Sequence, residues 1–242
     1  MTFNQTKRGR AKARLIAFSA RFQALVGSIL FLGLASAVGT LLFFAWLADE
    51  VLEGDAKTFD ETVRVFIHGF ESGSLTSLMR FITMLGSTLF LSVLCAGVFV
   101  IFIIKNWKRA ATLLMTTMAG AVILNYALKA NFGRVRPVPF FDTPLPDSYS
   151  FPSGHALYAL CFYGSLAWLI AAQIQNKLLR ILIWTLAGSL ALIIGLSRIY
   201  LGVHYPSDVI AGFAAAIVWL TTVLLIDFKL KKRRSYFKEN SV

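Results

Sequence analysis

An all-α membrane protein, with six spanning helices in one bundle and both termini in the cytoplasm, is predicted by three features of the 242-residue sequence. Apolar side chains make up 57% of it and charged ones 15%, where a soluble domain averages about half and about a quarter. The apolar residues gather into charge-free runs of about 20 residues, the length that crosses a hydrocarbon layer as a helix. The 24 Lys and Arg residues gather at the ends of those runs. Despite a net charge of +12, that pattern speaks for membrane topology and against nucleic acid as a partner.

Residues 1–23 form a basic segment with Lys7, Arg8, Arg10, Lys12, Arg14 and Arg21. Ala35-Ser36-Ala37 has the look of a signal cleavage site, but the uncharged run from Ala24 to Ala48 is too long for a signal core. An uncleaved first span is expected. Residues 49–80 hold most of the acidic residues. There Phe59, Val63, Phe66, Ile67 and Phe70 share one helical face, and Asp60, Glu61, Arg64 and His68 share the other. This predicts an amphipathic helix lying on the membrane surface, with His68 solvated. Further uncharged runs at 81–104, 111–128, 156–176, 181–197 and 209–226 complete a membrane domain over 24–228, and residues 229–242 make a basic tail. Cys95 and Cys161 lie inside runs without metal-ligand spacing and read as small buried hydrophobes.

Orientation follows from charge. The N-terminal segment, the 105–110 and 177–180 links and the C-terminal tail hold 17 of the 24 basic residues, and the other side holds ten of the 12 acidic ones. The positive-inside rule makes the first set cytoplasmic and puts segments 49–80, 129–155 and 198–208 outside.

Three polar clusters sit at helix ends on that outer side: Lys129 to Pro137, Pro152-Ser153-Gly154-His155, and Ser197 to Asp208. Ionisable groups beside hydrocarbon are costly, so each needs a partner, a wet cavity or a task. Pro206 suits the first turn of the last helix, where its missing N–H costs nothing. Asp208 then falls in that opening turn with His204 just ahead of it. A carboxylate so placed can hold one imidazole nitrogen and leave the other basic, as nucleophilic catalysis requires. The cations match phosphate in charge, and Ser153 and Gly154 would add a hydroxyl and N–H groups at a helix N-terminus. Taken singly, these residues have plainer readings. Lys129 and Arg136 also suit snorkelling anchors, Arg198 and Asp208 a structural ion pair, and His155 a helix cap.

Read as Lys-x6-Arg-Pro, Pro-Ser-Gly-His and Ser-Arg-x5-His-x3-Asp, the clusters resemble the signature of the type 2 phosphatidic acid phosphatase superfamily, filled in order over 129–208. The resemblance implies an acid phosphatase/vanadium haloperoxidase-like core in a cell-membrane (inner-membrane) protein. It also implies metal-independent hydrolysis, without cofactor, of a lipid phosphate or pyrophosphate of the undecaprenyl pyrophosphate, phosphatidylglycerophosphate or phosphatidic acid type. His204 would attack phosphorus, Asp208 would hold and polarise it, and His155 would protonate the leaving oxygen. Lys129, Arg136, Ser153, Gly154 and Arg198 would grip the phosphoryl oxygens. With His204 neutral and His155 cationic at the start, a bell-shaped pH–rate profile is expected. Arg134 is not a signature position, and a phosphate or headgroup contact from it, or from Asn131, is only a guess. Phe140, Phe141, Tyr149 and Phe151, in the 138–151 loop, are expected either to border the site for a lipid headgroup or merely to pack over the helices. Two other functions remain open at this point: a haloperoxidase-like oxyanion enzyme, and a non-enzymatic binder or transporter of phospholipid headgroups. The particular lipid and the oligomeric state are not readable.

Overall fold

A computed structural model describes residues 31–141 and 145–239, together with Ser28. The basic segment 1–23 lies outside the described residues, as does the end of the basic tail. The chain forms helices α1 (Phe31–Glu53), α2 (Ala56–His68), α3 (Gly73–Met84), α4 (Thr88–Ile104), α5 (Lys108–Phe132), α6 (Gly154–Ala171), α7 (Lys177–Tyr200) and α8 (Pro206–Glu239). Five of them, α1 and α5 to α8, are each long and apolar enough to cross a membrane. Helices α3 and α4 add a sixth span if taken together across their 46° bend.

The expected runs are present with changed bounds: 81–104 is broken between Met84 and Thr88, and 156–176 is helical only as far as Ala171. The uncharged stretch 111–128 becomes α5, and 181–197 becomes α7, each gaining about a turn at both ends. Lys129 and Arg198 therefore sit in final helical turns and not in links. The last helix begins at Pro206, as expected for an N1 proline, with Asp208 in its opening turn. It continues unbroken to Glu239, so the start of the basic tail prolongs the helix.

Helix α6 is the axis of the bundle, packing against α5, α7 and α8. Its buried side includes Ala156, Ala159, Cys161, Gly164 and Ala167. Small side chains let helices approach closely where hydrocarbon surrounds them, because lipid removes the hydrophobic drive and leaves packing to hold the bundle. Both Cys95 and Cys161 are buried and unpaired, as expected. At the end of the bundle away from the polar clusters, Arg109 Nε donates to Asp227 Oδ1 at 2.7 Å and Trp168 Nε1 donates to Asp227 Oδ2 at 3.2 Å. These contacts tie α5, α6 and α8 together.

The 49–80 segment differs most from expectation. It contains two helices, and α2 is amphipathic with its faces reversed. Asp60 and Arg64 are buried, while Phe59, Phe66 and, just past the helix, Phe70 are exposed; Ile67 is the exception and packs against the core. The polar face turns toward protein because its charges find partners there, and the apolar face is left for the surroundings. His68 is accordingly not solvated: its ring stacks on Phe140 with centroids 4.0 Å apart, and Nε2 lies 3.3 Å from Glu71 Oε2.

Two glycines permit close approaches beside the polar clusters. A Cβ on Gly86, at the α3–α4 break, would come 2.3 Å from Ile194 Cγ2 of α7. Gly202, in the α7–α8 turn, has φ +72°, and a Cβ there would meet Phe140 N at 2.6 Å.

Candidate functional site

The C-terminal ends of α5 and α7 and the N-terminal ends of α6 and α8 meet at one end of the bundle. The three clusters come with them. His155, in the first turn of α6, lies within electrostatic reach of Lys129, Arg136, Arg198 and His204. A second contact comes from the α3–α4 break, where a Cβ on Gly86 would sit 3.4 Å from His155 Cδ2.

His204 is almost wholly buried and held on both sides. Nδ1 lies 3.2 Å from Asp208 Oδ2 and 3.3 Å from Ser150 Oγ, and Nε2 lies 3.0 Å from a terminal nitrogen of Arg136. A guanidinium only donates, so Nε2 must carry the lone pair and Nδ1 the proton. Burial is the main force on this ring and drives its pKa down to about 3, with Asp208 pulling it up and Arg136 and Arg198 pushing it down again. The imidazole is therefore neutral at physiological pH, with its lone pair aimed at Arg136.

Asp208 is fully buried and well supplied with donors. It accepts from Arg134 at 2.7 Å, from the Tyr205 backbone N–H at 2.9 Å and from the Ser150 hydroxyl. The plainer reading of Arg198 and Asp208 as a structural ion pair does not hold. Instead Arg198 donates to Thr83 Oγ1 of α3 at 2.7 Å, and its buried Nε has no partner among the described residues.

Arg136 donates to Ser148 O at 2.7 Å and to Val203 O at 3.0 Å, and Lys129 donates to the Tyr149 carbonyl. Burial lowers the Arg136 pKa and Asp208 partly restores it. Ser153 caps α6 by position, yet its buried hydroxyl makes no cap bond and has no partner among the described residues. Next to it, Gly154 brings backbone to the cradle, and a Cβ there would press on Tyr158 and Asn125, 3.2 and 3.3 Å away. Cations, a free hydroxyl and a helix N-terminus around a neutral imidazole make a receptor for a tetrahedral oxyanion.

Every expected site residue thus reaches this end of the bundle: Lys129, Arg136, Ser153, Gly154, His155, Arg198, His204 and Asp208. Arg134 is a correction. Its guanidinium is taken up by protein partners: it donates at 2.7 Å both to Asp60 Oδ2 and to Asp208 Oδ1, and lies over the Tyr205 ring at 4.1 Å. Burial opposes its charge, but the two carboxylates outweigh that and raise its pKa. Asn131 is exposed and bonds its own helix at Ala127 O. In the 138–151 loop, the packed alternative holds for three of the four rings. Phe151 sits in the core against Phe44 and Phe132, Phe140 stacks on His68 and Phe141 on Tyr200, which leaves Tyr149 exposed.

Asp60, Thr83, Ser150 and Ser207 belong to the site's surroundings without any sequence signal of their own. Their types are common and, Ser150 and Ser207 aside, they lie far from the motifs. Among the described residues, no three His, Cys, Asp or Glu side chains converge as metal ligands.

Comparison with known proteins agrees with this geometry. The sequence profile of the PAP2 superfamily matches residues 110–232. Phosphatidylglycerophosphatase B of Bacillus subtilis is 33% identical over 204 residues, covering 81% of this chain and 97% of that protein. An undecaprenyl-diphosphatase of Sulfolobus acidocaldarius is 30% identical over 118 residues, 47% of this chain and 53% of that protein. The crystal structure of a transmembrane PAP2-type phosphatidylglycerolphosphate phosphatase from Bacillus subtilis superposes with a TM-score of 0.74 at 29% identity, over 80% of this chain and 96% of that one. With its helical bundle, its convergent cluster and these relatives, the chain belongs to the PAP2 superfamily, as a membrane lipid phosphatase.

Proposed function

We propose that this protein removes the terminal phosphate of a lipid phosphate or pyrophosphate at the outer leaflet, through a phosphohistidine formed on His204. The observation that carries this reading is the setting of His204: Nδ1 against Asp208, Nε2 against Arg136, and a ring kept neutral by burial.

The Nε2 lone pair attacks phosphorus, and the P–O bond to the lipid breaks as the N–P bond forms. His155 gives its proton to the departing oxygen. Asp208 steadies the positive charge that develops on the imidazole. Lys129, Arg136, Arg198, the Ser153 hydroxyl and the α6 N-terminus balance the charge on the phosphoryl oxygens. In the second half His155 takes a proton from water, the water oxygen bonds to phosphorus, and the N–P bond breaks to release phosphate and restore His204. The chain's own groups supply each proton and counter-charge, so no metal or cofactor is needed.

Residues 24–228 act as the membrane phosphatase domain, between a basic N-terminal segment and a basic tail. The excess of Lys and Arg at the opposite end supports six spans, cytoplasmic termini and a site facing the exterior. Among substrates, phosphatidylglycerophosphate comes first, since the relative named for it matches over nearly its whole length while the undecaprenyl-diphosphatase matches over half.

The test is phosphate release by purified protein from phosphatidylglycerophosphate, phosphatidic acid and undecaprenyl pyrophosphate in mixed micelles. Turnover should persist in chelator, stop with vanadate, and fall by about 10⁴-fold or more in His204→Ala. Turnover abolished by chelator yet retained by His204→Ala would overturn the mechanism.

A further inference from the structure

Asp60 lies on α2, outside the residues that the family profile matches and far in sequence from the three motifs. Its carboxylate is fully buried. Oδ1 accepts from the Ser207 backbone N–H at 2.8 Å, and Oδ2 accepts from the Ser207 hydroxyl and from Arg134, each at 2.7 Å. The other terminal nitrogen of Arg134 donates to Asp208 and also to Ser207 Oγ at 2.8 Å. One guanidinium thus bridges two buried carboxylates, and the second of them holds His204.

We propose that Asp60 and Arg134 are positioning residues for catalysis, with Asp60 acting as the counter-charge that lets Arg134 orient Asp208 without cancelling it. The inference rests on the reading of His204 as nucleophile and Asp208 as its orienter. Arg134 and Asp208 alone would be a neutral pair and would offer little to the imidazolium that forms when Nε2 bonds to phosphorus. With Asp60 included, the trio keeps one net negative charge behind Nδ1. Against it stand Arg136, 3.0 Å from Nε2, and Arg198, both of which disfavour a cationic ring. In so buried a setting the balance between these groups weighs more than it would in water.

A buried carboxylate in such a network could also be only a staple for α2. The two roles differ in what they predict. Acting through Arg134 and Asp208, Asp60→Asn lowers kcat by about 10- to 100-fold while KM stays within about twofold. The effect also depends on Arg134. In an Arg134→Gln protein, Asp60 and Asp208 face each other without a cation, so adding Asp60→Asn leaves kcat unchanged or raises it. A staple gives losses that add, with a lower melting temperature and an unchanged kcat in the folded fraction.

The experiment is a double-mutant cycle on Asp60→Asn and Arg134→Gln in detergent-solubilised full-length protein, measuring kcat, KM and thermal unfolding. If Arg134→Gln does not fold, Arg134→Lys takes its place. In that protein a cation remains but one of the two forked contacts is lost, so Asp60→Asn should cost under about threefold. Independent losses of kcat in either cycle, or an unchanged kcat in Asp60→Asn, would overturn the proposal. His204→Ala is assayed beside them: full activity there would bring down the phosphohistidine reading itself, whatever the cycle gives.

Discussion

His204 presents opposite faces to opposite charges: its Nδ1 is 3.2 Å from Asp208 Oδ2 and its Nε2 is 3.0 Å from the Arg136 guanidinium. The carboxylate fixes the tautomer, and the guanidinium marks where an anion would sit. Asp208→Asn keeps the shape but reverses the preference, since an amide can donate to Nδ1 and draw the proton to Nε2. A loss of kcat of about 10³- to 10⁴-fold is expected. Vanadate affinity should change far less, because the cations that grip the oxyanion remain. Inhibition titrations beside turnover would separate the two effects.

In the proposed mechanism His155 protonates the leaving group, so its removal should be felt in proportion to how badly that group leaves. With a lipid alcohol, His155→Ala should cost about 10²- to 10⁴-fold. With p-nitrophenyl phosphate, whose leaving group needs little protonation, the loss should shrink to about tenfold or less. Equal losses on both substrates would remove His155 from the acid role.

The buried neutral ring of His204 also predicts a pH dependence of stability. In the folded protein it resists protonation down to about 3, whereas the unfolded chain takes the proton near 6.5. Between those values the unfolded state binds more protons, so stability falls as the pH falls from about 6.5 toward 3. Each pH unit in that window should shift the unfolding constant by up to about tenfold. Melting curves in detergent should therefore steepen in their acid dependence for the wild type relative to His204→Asn.

Thr83 tests the anchoring of Arg198. Thr83→Val keeps the shape and removes the 2.7 Å acceptor. A hydrogen bond to a charged group is worth about 1.5–3 kcal/mol, so kcat/KM should fall by about tenfold or more, with vanadate affinity falling in parallel. An unchanged vanadate affinity would show that Arg198 needs no such anchor.

Much of the site was legible in the sequence because its chemistry is concentrated at four helix ends that parity alone brings to one side. Lys129, Arg136, Ser153, Gly154, His155, Arg198, His204 and Asp208 could be named because their motifs resemble the family signature. Asp60 and Thr83 could not. Nothing distinguishes Asp60 from Glu61 in the sequence, and Thr83 lies inside an uncharged run. The spacing along α2 was read correctly, but the direction of its faces was not. Surface-helix logic sends charges toward water, whereas here Arg134, Ser207 and the Val138 carbonyl offer Asp60 and Arg64 better partners inside. Arg134 was undecided for the same reason, since its role is set by a carboxylate 74 positions away.

The orientation of α2 leaves phenylalanines exposed on the side away from Asp60. Phe59 and Phe66 point away from the protein while Asp60, on the same short helix, bonds the Arg134 that also holds Asp208. An amphiphile covering those rings would lie one short helix away from the network that holds His204. Acyl chains of a different length, or a detergent in place of a leaflet, would press on the helix differently, and turnover would register the change without any substrate being altered.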